Sequence, residues 1–319
     1  MIKISKDIHL AQQFLEMGEI VAIPTETVYG LAGNIYNEKA IKKIFETKQR
    51  PFFNPLIVHI HSLACLDKIC SEIPLKARLL ANTFWPGPLT LVLKKRNSIS
   101  ELITGGKDTV AVRLPNHPLT LELLAKLDFP LAAPSANPFG AISPTSASHV
   151  ANYFSDSLPM VLDGGNCKNG IESTIIGFDE EAPVLYRLGA ISIEEIESVI
   201  GPIAVNNNNE NSPEAPGMLS RHYAPKTKTI LVNDVKKELE KYPTQKIGLL
   251  LFQNDCVERK NVITEILSEK GSFKEATANL YAAMHRLDIH NLDLIIAQKF
   301  PEIDLGNSIN DRLERATKN

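Results

Sequence analysis

Over the first two hundred positions, apolar residues fall in short runs whose spacing alternates between helical and extended. Ile8, Ala11, Phe14 and Leu15 share one helical face behind Asp7, a capping residue, and Gly18 closes that helix. Residues 19–23 then read as a strand running into Pro24. Asn37 caps a second helix with Ala40, Ile41, Ile44 and Phe45 on its inner face, which delivers Lys48 and Arg50 just past its end. Apolar runs at 56–60, 88–93, 109–114, 131–133, 160–162, 173–178 and 184–188 predict strands, and 74–84, 118–127 and 145–154 predict helices. Many strands with irregular connections imply a mixed, twisted sheet with flanking helices.

The pattern then breaks. Residues 206–213, rich in asparagine and closed by Pro213, cannot build a core and read as a linker. Beyond Pro225, strands at 229–232, 246–252 and 292–297 alternate with helices at 234–241, 272–287 and 308–317, the signature of a small three-layer α/β unit. The expected organisation is a larger domain over 1–204, a linker over 205–227, and a small Rossmann-like domain over 228–319.

Composition narrows the function classes. With 319 residues, 44% hydrophobic and 22% charged, the chain is an ordinary globular protein long enough for two domains. A net charge of −3 confines any nucleic-acid binding to a local patch. No apolar run approaches the length of a membrane span, and the N-terminus lacks a signal peptide's apolar core. Cys65, Cys70, Cys167 and Cys256 lack Cys-x-x-Cys spacing, so reduced thiols and a cytoplasmic location are expected and a metal site is not.

Candidate chemistry concentrates at strand ends. Thr25, Glu26, Thr27 and Tyr29 follow the first apolar strand, and these hydroxyls could line a polar pocket or merely cap a turn. Lys48 and Arg50, spaced i, i+2 on what reads as extended backbone, would point to one side and suit phosphate oxygens. A solvated helix end is the bland alternative. His59 ends a further strand, where a hydrogen-bonded core histidine is the ordinary case. Arg113 sits on an otherwise apolar strand and must meet an anion, either a structural carboxylate or a substrate's, the latter being the expectation. Ser135, Asn137 and Ser143 lie in a loop of small residues, Gly164 and Gly165 in a second without P-loop spacing, and Arg187 ends another strand. The segment 217–225 is rich in rings and cations and could fold over a ligand.

In order, Pro24 to Leu31, Lys48-x-Arg50-Pro51, Asn54-Pro55-Leu56 through His59, Arg113, Ser135-Ala136-Asn137, Ser143-Pro144-Thr145, Glu172-Ser173-Thr174-Ile175, Arg187 and His222-Tyr223-Ala224-Pro225 closely resemble the YrdC-like family of threonylcarbamoyl-AMP synthases in its longer, two-domain form. Phe139 departs from the smaller residue usual in that loop, which affects the loop's fine shape. The resemblance implies a YrdC-like mixed α/β sheet in the first domain. It also implies synthesis of threonylcarbamoyl-AMP and pyrophosphate from L-threonine, bicarbonate and ATP, for modification of a tRNA adenosine. By the same resemblance Thr27, His59, Arg113, the backbone at Ala133 and Ser173 would hold threonine. Lys48, Arg50, Asn54, Thr109, Ser135, Ser143, Arg187 and Tyr223 would hold ATP, with Mg²⁺ carried by the triphosphate. The implied partners are the machinery that later transfers the threonylcarbamoyl group to tRNA, and a weak contact with tRNA itself. Two rivals stand beside this reading: an RNA-binding module without chemistry, and a carbamoyl-adenylate enzyme that uses carbamoyl phosphate.

Overall fold

The computed structural model describes residues 2–155, 157–205, 215–217, 222–254 and 259–318. The polar tract 206–213, the stretch 218–221 and Cys256 lie outside the described residues. Two sheets organise the chain. The larger contains β1 (Lys3–Ser5), β2 (Val21–Ile23), β3 (Gly30–Asn34), β4 (Ile57–His59), β5 (Leu89–Lys94), β6 (Thr109–Arg113), β7 (Leu131–Ala132), β8 (Met160–Leu162), β9 (Thr174–Asp179), β10 (Ala182–Arg187) and β11 (Ala204–Val205). Its spatial order is β1-β8-β2-β3-β7-β4-β6-β5-β9-β10-β11. Parallel and antiparallel pairings are mixed along it, as the irregular connections predict. The smaller sheet is wholly parallel in the order β12 (Thr229–Val232), β15 (Leu294–Gln298), β13 (Ile247–Leu251), β14 (Val262–Ile266). Helices Phe273–Asp288 and Leu305–Thr317 supply apolar residues to its core.

Local chemistry explains the first elements. Asp7 accepts from the Leu10 amide, and Asn37 from the amides of Lys39 and Ala40, so both predicted caps are made. Ala40, Ile41, Ile44 and Phe45 are buried as their spacing requires. The helix they belong to ends differently from the expectation. Lys48 is its last residue and Gln49 takes a left-handed conformation at φ 53°, so Lys48 and Arg50 do not share an extended backbone. The left-handed turn sends the two cations to different partners.

The main apolar core lies behind the large sheet, with Val58, Leu91, Leu93, Val110, Val112 and Ile176 pointing into it. Alternation then turns Ile57, Val92, Ala111 and Ile175 to the opposite face, where Ala215 from the connecting segment packs on them. Above them on that face lie the polar strand ends. The two halves also share a core: Val28, Ile142 and Ile171 of the first pack with Tyr223 and with Leu280, Tyr281 and Met284 of the second.

Candidate active site

The register between β4 and β6 pairs His59 with Arg113 and Ile57 with Ala111, setting an imidazole beside a guanidinium at one end of the front face. Around them closes a cavity lined by Thr25, Thr27, Ala133, Ser135, Ser173 and Tyr223, among others, with Arg50 and Arg187 also in its wall. Its free volume is about 40 Å³, room for a few water molecules and far below the size of a nucleotide. Pro216 and Gly217 form part of its roof.

Of the thirteen expected ligand-binding residues, the cavity brings together Thr27, His59, Arg113, Ala133, Ser173, Arg50, Ser135, Arg187 and Tyr223. Lys48, Asn54 and Ser143 stand directly behind its lining. Lys48 Nζ donates to the carbonyls of Ser135 and Asn137, each at 2.5 Å. Arg50 donates to the Asn54 side chain at 2.6 Å and to the carbonyls of Asn54 and Pro55. Ser143 donates to Glu172 at 2.6 Å. Thr109 does not join them. It opens β6 at the end away from Arg113 and lines a separate depression of about 710 Å³ with Glu72, Lys94 and Asp108. Residues 109, 111 and 113 share the front face, but four residues of extended chain separate the two sites by roughly 13 Å.

Arg113 meets a structural carboxylate, the alternative to the substrate anion expected for it. Its Nη2 donates to Glu26 at 2.7 Å, its Nη1 to the Thr27 hydroxyl at 2.9 Å and its Nε to the Gly87 carbonyl. The second oxygen of Glu26 accepts the Asn116 amide, which locks the pair to the start of the next segment. Arg187 is held on the Ser173 carbonyl and hydroxyl and on the Pro216 carbonyl, so it ties the end of β10 to the residue before β9 and to the connecting segment.

Charge in the site is strongly one-sided. Lys48, Arg50, Arg113 and Arg187 are 1%, 6%, 4% and 6% exposed, against two buried carboxylates, Glu26 and Glu172. Burial, then the neighbouring Arg50 charge, pushes the Lys48 ammonium well below its ordinary range. Burial and the Arg187 charge bring Arg50 down to about 9. For Glu172 burial works upward, but Arg312, Arg187 and the Ser143 hydroxyl outweigh it and hold the carboxyl low. Burial and Arg113 press His59 down to about 3. The imidazole is therefore neutral. Its Nδ1 lies 3.2 Å from the Ile57 carbonyl, which can only accept, so Nδ1 carries the proton and Nε2 is left as an acceptor.

A cationic cavity whose positive charges outnumber its carboxylates suits an anionic ligand. Four buried polar atoms around it, Asn54 Nδ2, Asn137 Oδ1, His222 Nδ1 and Tyr223 Oη, make no hydrogen bond within the described residues. Buried polar groups rarely go unpaired, so these atoms fit a polar ligand. The donor set does not fit a protein-held metal: among the described residues no three His, Cys, Asp or Glu cluster closely enough, and both cavity carboxylates are taken by arginine.

Sequence reasoning quoted Glu26 and Glu172 without seeing their roles as counter-ions, and it missed Arg312 and Tyr281 altogether. Both lie on helices of the second half, yet Tyr281 Oη donates to Glu172 at 2.9 Å and Arg312 Nε at 3.0 Å. A signal for Arg312 exists. It interrupts an apolar stripe that runs through Leu305, Ile309, Leu313 and Ala316. Phe139, the residue unusual for its loop, meets the His222 ring edge-on at 5.8 Å and 89°. The bridge between Ala141 and Ala224 fastens the connecting segment to the same loop.

Comparison with known proteins places this geometry. Residues 13–189 match the Sua5/YciO/YrdC family, described as "Telomere recombination", and residues 191–317 match "Threonylcarbamoyl-AMP synthase, C-terminal domain". The chain is 42% identical to a threonylcarbamoyl-AMP synthase of Pyrococcus abyssi, over 97% of this chain and 94% of that protein. It is 38% identical to one of Bacillus subtilis, over 96% and 91% of the two chains. The crystal structure of P. abyssi Sua5 complexed with L-threonine superposes with a TM-score of 0.92 at 40% identity, covering 99% of this chain and 97% of that one.

Proposed function

The chain belongs to the threonylcarbamoyl-AMP synthase family in its two-domain form, and from that premise we propose that its cationic cavity joins L-threonine, bicarbonate and ATP into threonylcarbamoyl-AMP, with release of pyrophosphate and water. One observation carries the reading: the strand register that seats neutral His59 beside Arg113 opens onto the same buried space as Arg50, Ser173 and Arg187. A small amino acid and the phosphates of a nucleotide would meet there.

The chemistry requires no covalent enzyme intermediate. The threonine amine attacks bicarbonate carbon and water leaves, giving a carbamate. A carbamate oxygen then attacks the α-phosphorus, and the bond to the β,γ-diphosphate breaks. The protein's part is alignment and charge compensation. Threonine is assigned to Thr27, His59, Arg113, the Ala133 backbone and Ser173. With Nε2 as acceptor, His59 would receive a hydrogen bond from the substrate rather than a proton. Its carboxylate would share Arg113 with Glu26. ATP is assigned to Lys48, Arg50, Asn54, Ser135, Ser143, Arg187 and Tyr223. Thr109, at the far end of the shared sheet face, would reach only the part of the nucleotide remote from the reacting phosphate. Mg²⁺ would ride on phosphate oxygens, since both nearby carboxylates are committed to arginine.

The product would feed tRNA modification through a separate transfer machinery, and a direct tRNA contact would be weak and local. The match of residues 191–317 to the synthase C-terminal domain favours this reading over both rivals. Among the described residues no helix is long and apolar enough to cross a membrane. Mass spectrometry of products after incubation with ATP, bicarbonate and each amino acid in turn tests the proposal. Threonylcarbamoyl-AMP should form with threonine. Product from carbamoyl phosphate alone, or ATP turnover indifferent to amino acid, would overturn it.

A further inference from the structure

We infer that Arg312, on the last helix of the chain, is a positioning residue for the nucleotide site: with Tyr281 it fixes the Glu172 carboxylate that orients Ser143, and it supports the ring of Tyr223. The inference rests on the ATP reading above and assigns the small domain a part in substrate binding.

The Arg312 and Glu172 side chains are 0% and 7% exposed and come from different halves of the protein. The carboxylate is divided between them. Its Oε2 accepts from Arg312 Nε at 3.0 Å and from the Tyr281 hydroxyl at 2.9 Å, while its Oε1 accepts from the Ser143 hydroxyl at 2.6 Å. The other two nitrogens of Arg312 donate to the Leu188 carbonyl and to Asp311. Arg312 is fully buried and does not line the cavity, unlike Arg50, Arg113 and Arg187, so this guanidinium supports the site from behind. Its carbon lies 5.2 Å from the centroid of Tyr223, whose ring also stacks on Tyr281 at 5.7 Å. One cation thereby fixes two groups assigned to ATP, the Ser143 hydroxyl and the Tyr223 ring.

Joining the two halves would not by itself call for a buried ion pair. Well-packed apolar side chains would join two domains at least as firmly as a buried ion pair. The pair also protects Arg187. That guanidinium donates to Ser173 and Pro216 and not to Glu172. Were Arg312 absent, Glu172 would lack a close cation, and Arg187 would be the next to answer it.

The test uses the full-length protein with three variants: Arg312→Lys, Tyr281→Phe, and the double variant Arg312→Met/Glu172→Gln, which removes both charges of the pair together. Each is measured for KM toward ATP, KM toward threonine, and melting temperature. Arg312→Lys should raise the ATP KM about tenfold, the factor that one charge-assisted hydrogen bond represents, with the threonine KM within about twofold. Tyr281→Phe should give a smaller rise of the same kind. The double variant should melt close to wild type and still bind ATP poorly. An ATP KM unchanged in all three, or both KM values moving together with melting temperature, would reduce Arg312 to an ordinary domain fastener. Failure of the ATP reading shows separately, as wild-type protein that releases no pyrophosphate when given threonine.

Discussion

Arg113 and Glu26 face each other at 2.7 Å with 5% and 6% of their side chains exposed. Removing one partner of so buried a pair strands the other charge. Glu26→Ala should cost about 3–5 kcal/mol of stability, read from guanidinium unfolding, and Glu26→Gln distinctly less because an acceptor remains. A loss under about 1 kcal/mol for the alanine variant would mean that Arg113 finds another anion or water.

Arg50 has fewer structural obligations, since it is held on the loop at Asn54 and Pro55. Arg50→Ala should lower threonine-dependent pyrophosphate release by about 100-fold or more, the scale of losing one preorganised charge at a reacting phosphate, while the unfolding midpoint stays near wild type. Turnover within threefold of wild type would remove Arg50 from the chemistry.

Acid should loosen the union of the two halves. His149, on the helix Ala147–Phe154, stacks on His285 of the second half with ring centroids 3.9 Å apart. Burial, followed by the charges of His285 and Arg286, brings His149 down to about 3, and burial brings His285 down to about 4. Both values lie below that of an unfolded histidine, about 6.5. Between pH 6.5 and about 4 the unfolded chain therefore binds protons that the folded one refuses, and stability falls as pH falls. His59 and His222, each near 3, act in the same direction. The melting temperature should drop between pH 7.5 and 5, and less steeply in His149→Gln/His285→Gln. Equal slopes in the two proteins would contradict the assignment.

Ending the chain after Gly201 should abolish or greatly reduce activity, because Tyr223, Tyr281 and Arg312 are lost together. The same cut uncovers Val28, Ile142 and Ile171, so the fragment should also bind a hydrophobic dye. A soluble, fully active fragment would show that Tyr223 has no part in the reaction.

Much of the fold can be read from local pattern, for identifiable reasons. Strands β8 and β12 match their apolar runs end to end, and Asp7 and Asn37 cap as their chemistry dictates. Strand β3 escapes such reading because Gly30 and Gly33 dilute it. A Cβ at Gly30 would lie 3.1 Å from the Ala133 side chain, and one at Gly33 3.1 Å from Ile44, so packing sets those residues against strand propensity. Strand β14 is an edge strand of half-exposed residues, and β1 has only three residues, so neither carries a long apolar run. The helix Ile193–Ile200 went unread in the sequence although the Ser192–Glu195 capping box and the spacing of Ile193, Ile196 and Ile200 mark it. In the site, residues flanking strand ends were legible because sheet topology gathers them. The partners supplied by the second half, Tyr281 and Arg312, were not, because their meeting with Glu172 spans more than a hundred residues of chain.

The roof over the sheet face has one more implication. A space that excludes a nucleotide while Ala215, Pro216 and Gly217 lie across it must open for ATP, and by the same motion it can detain what is made inside. A carbamoyl adenylate is a mixed anhydride, spoiled by the first water to reach its carbonyl. Confinement would extend the intermediate's lifetime by keeping that water out.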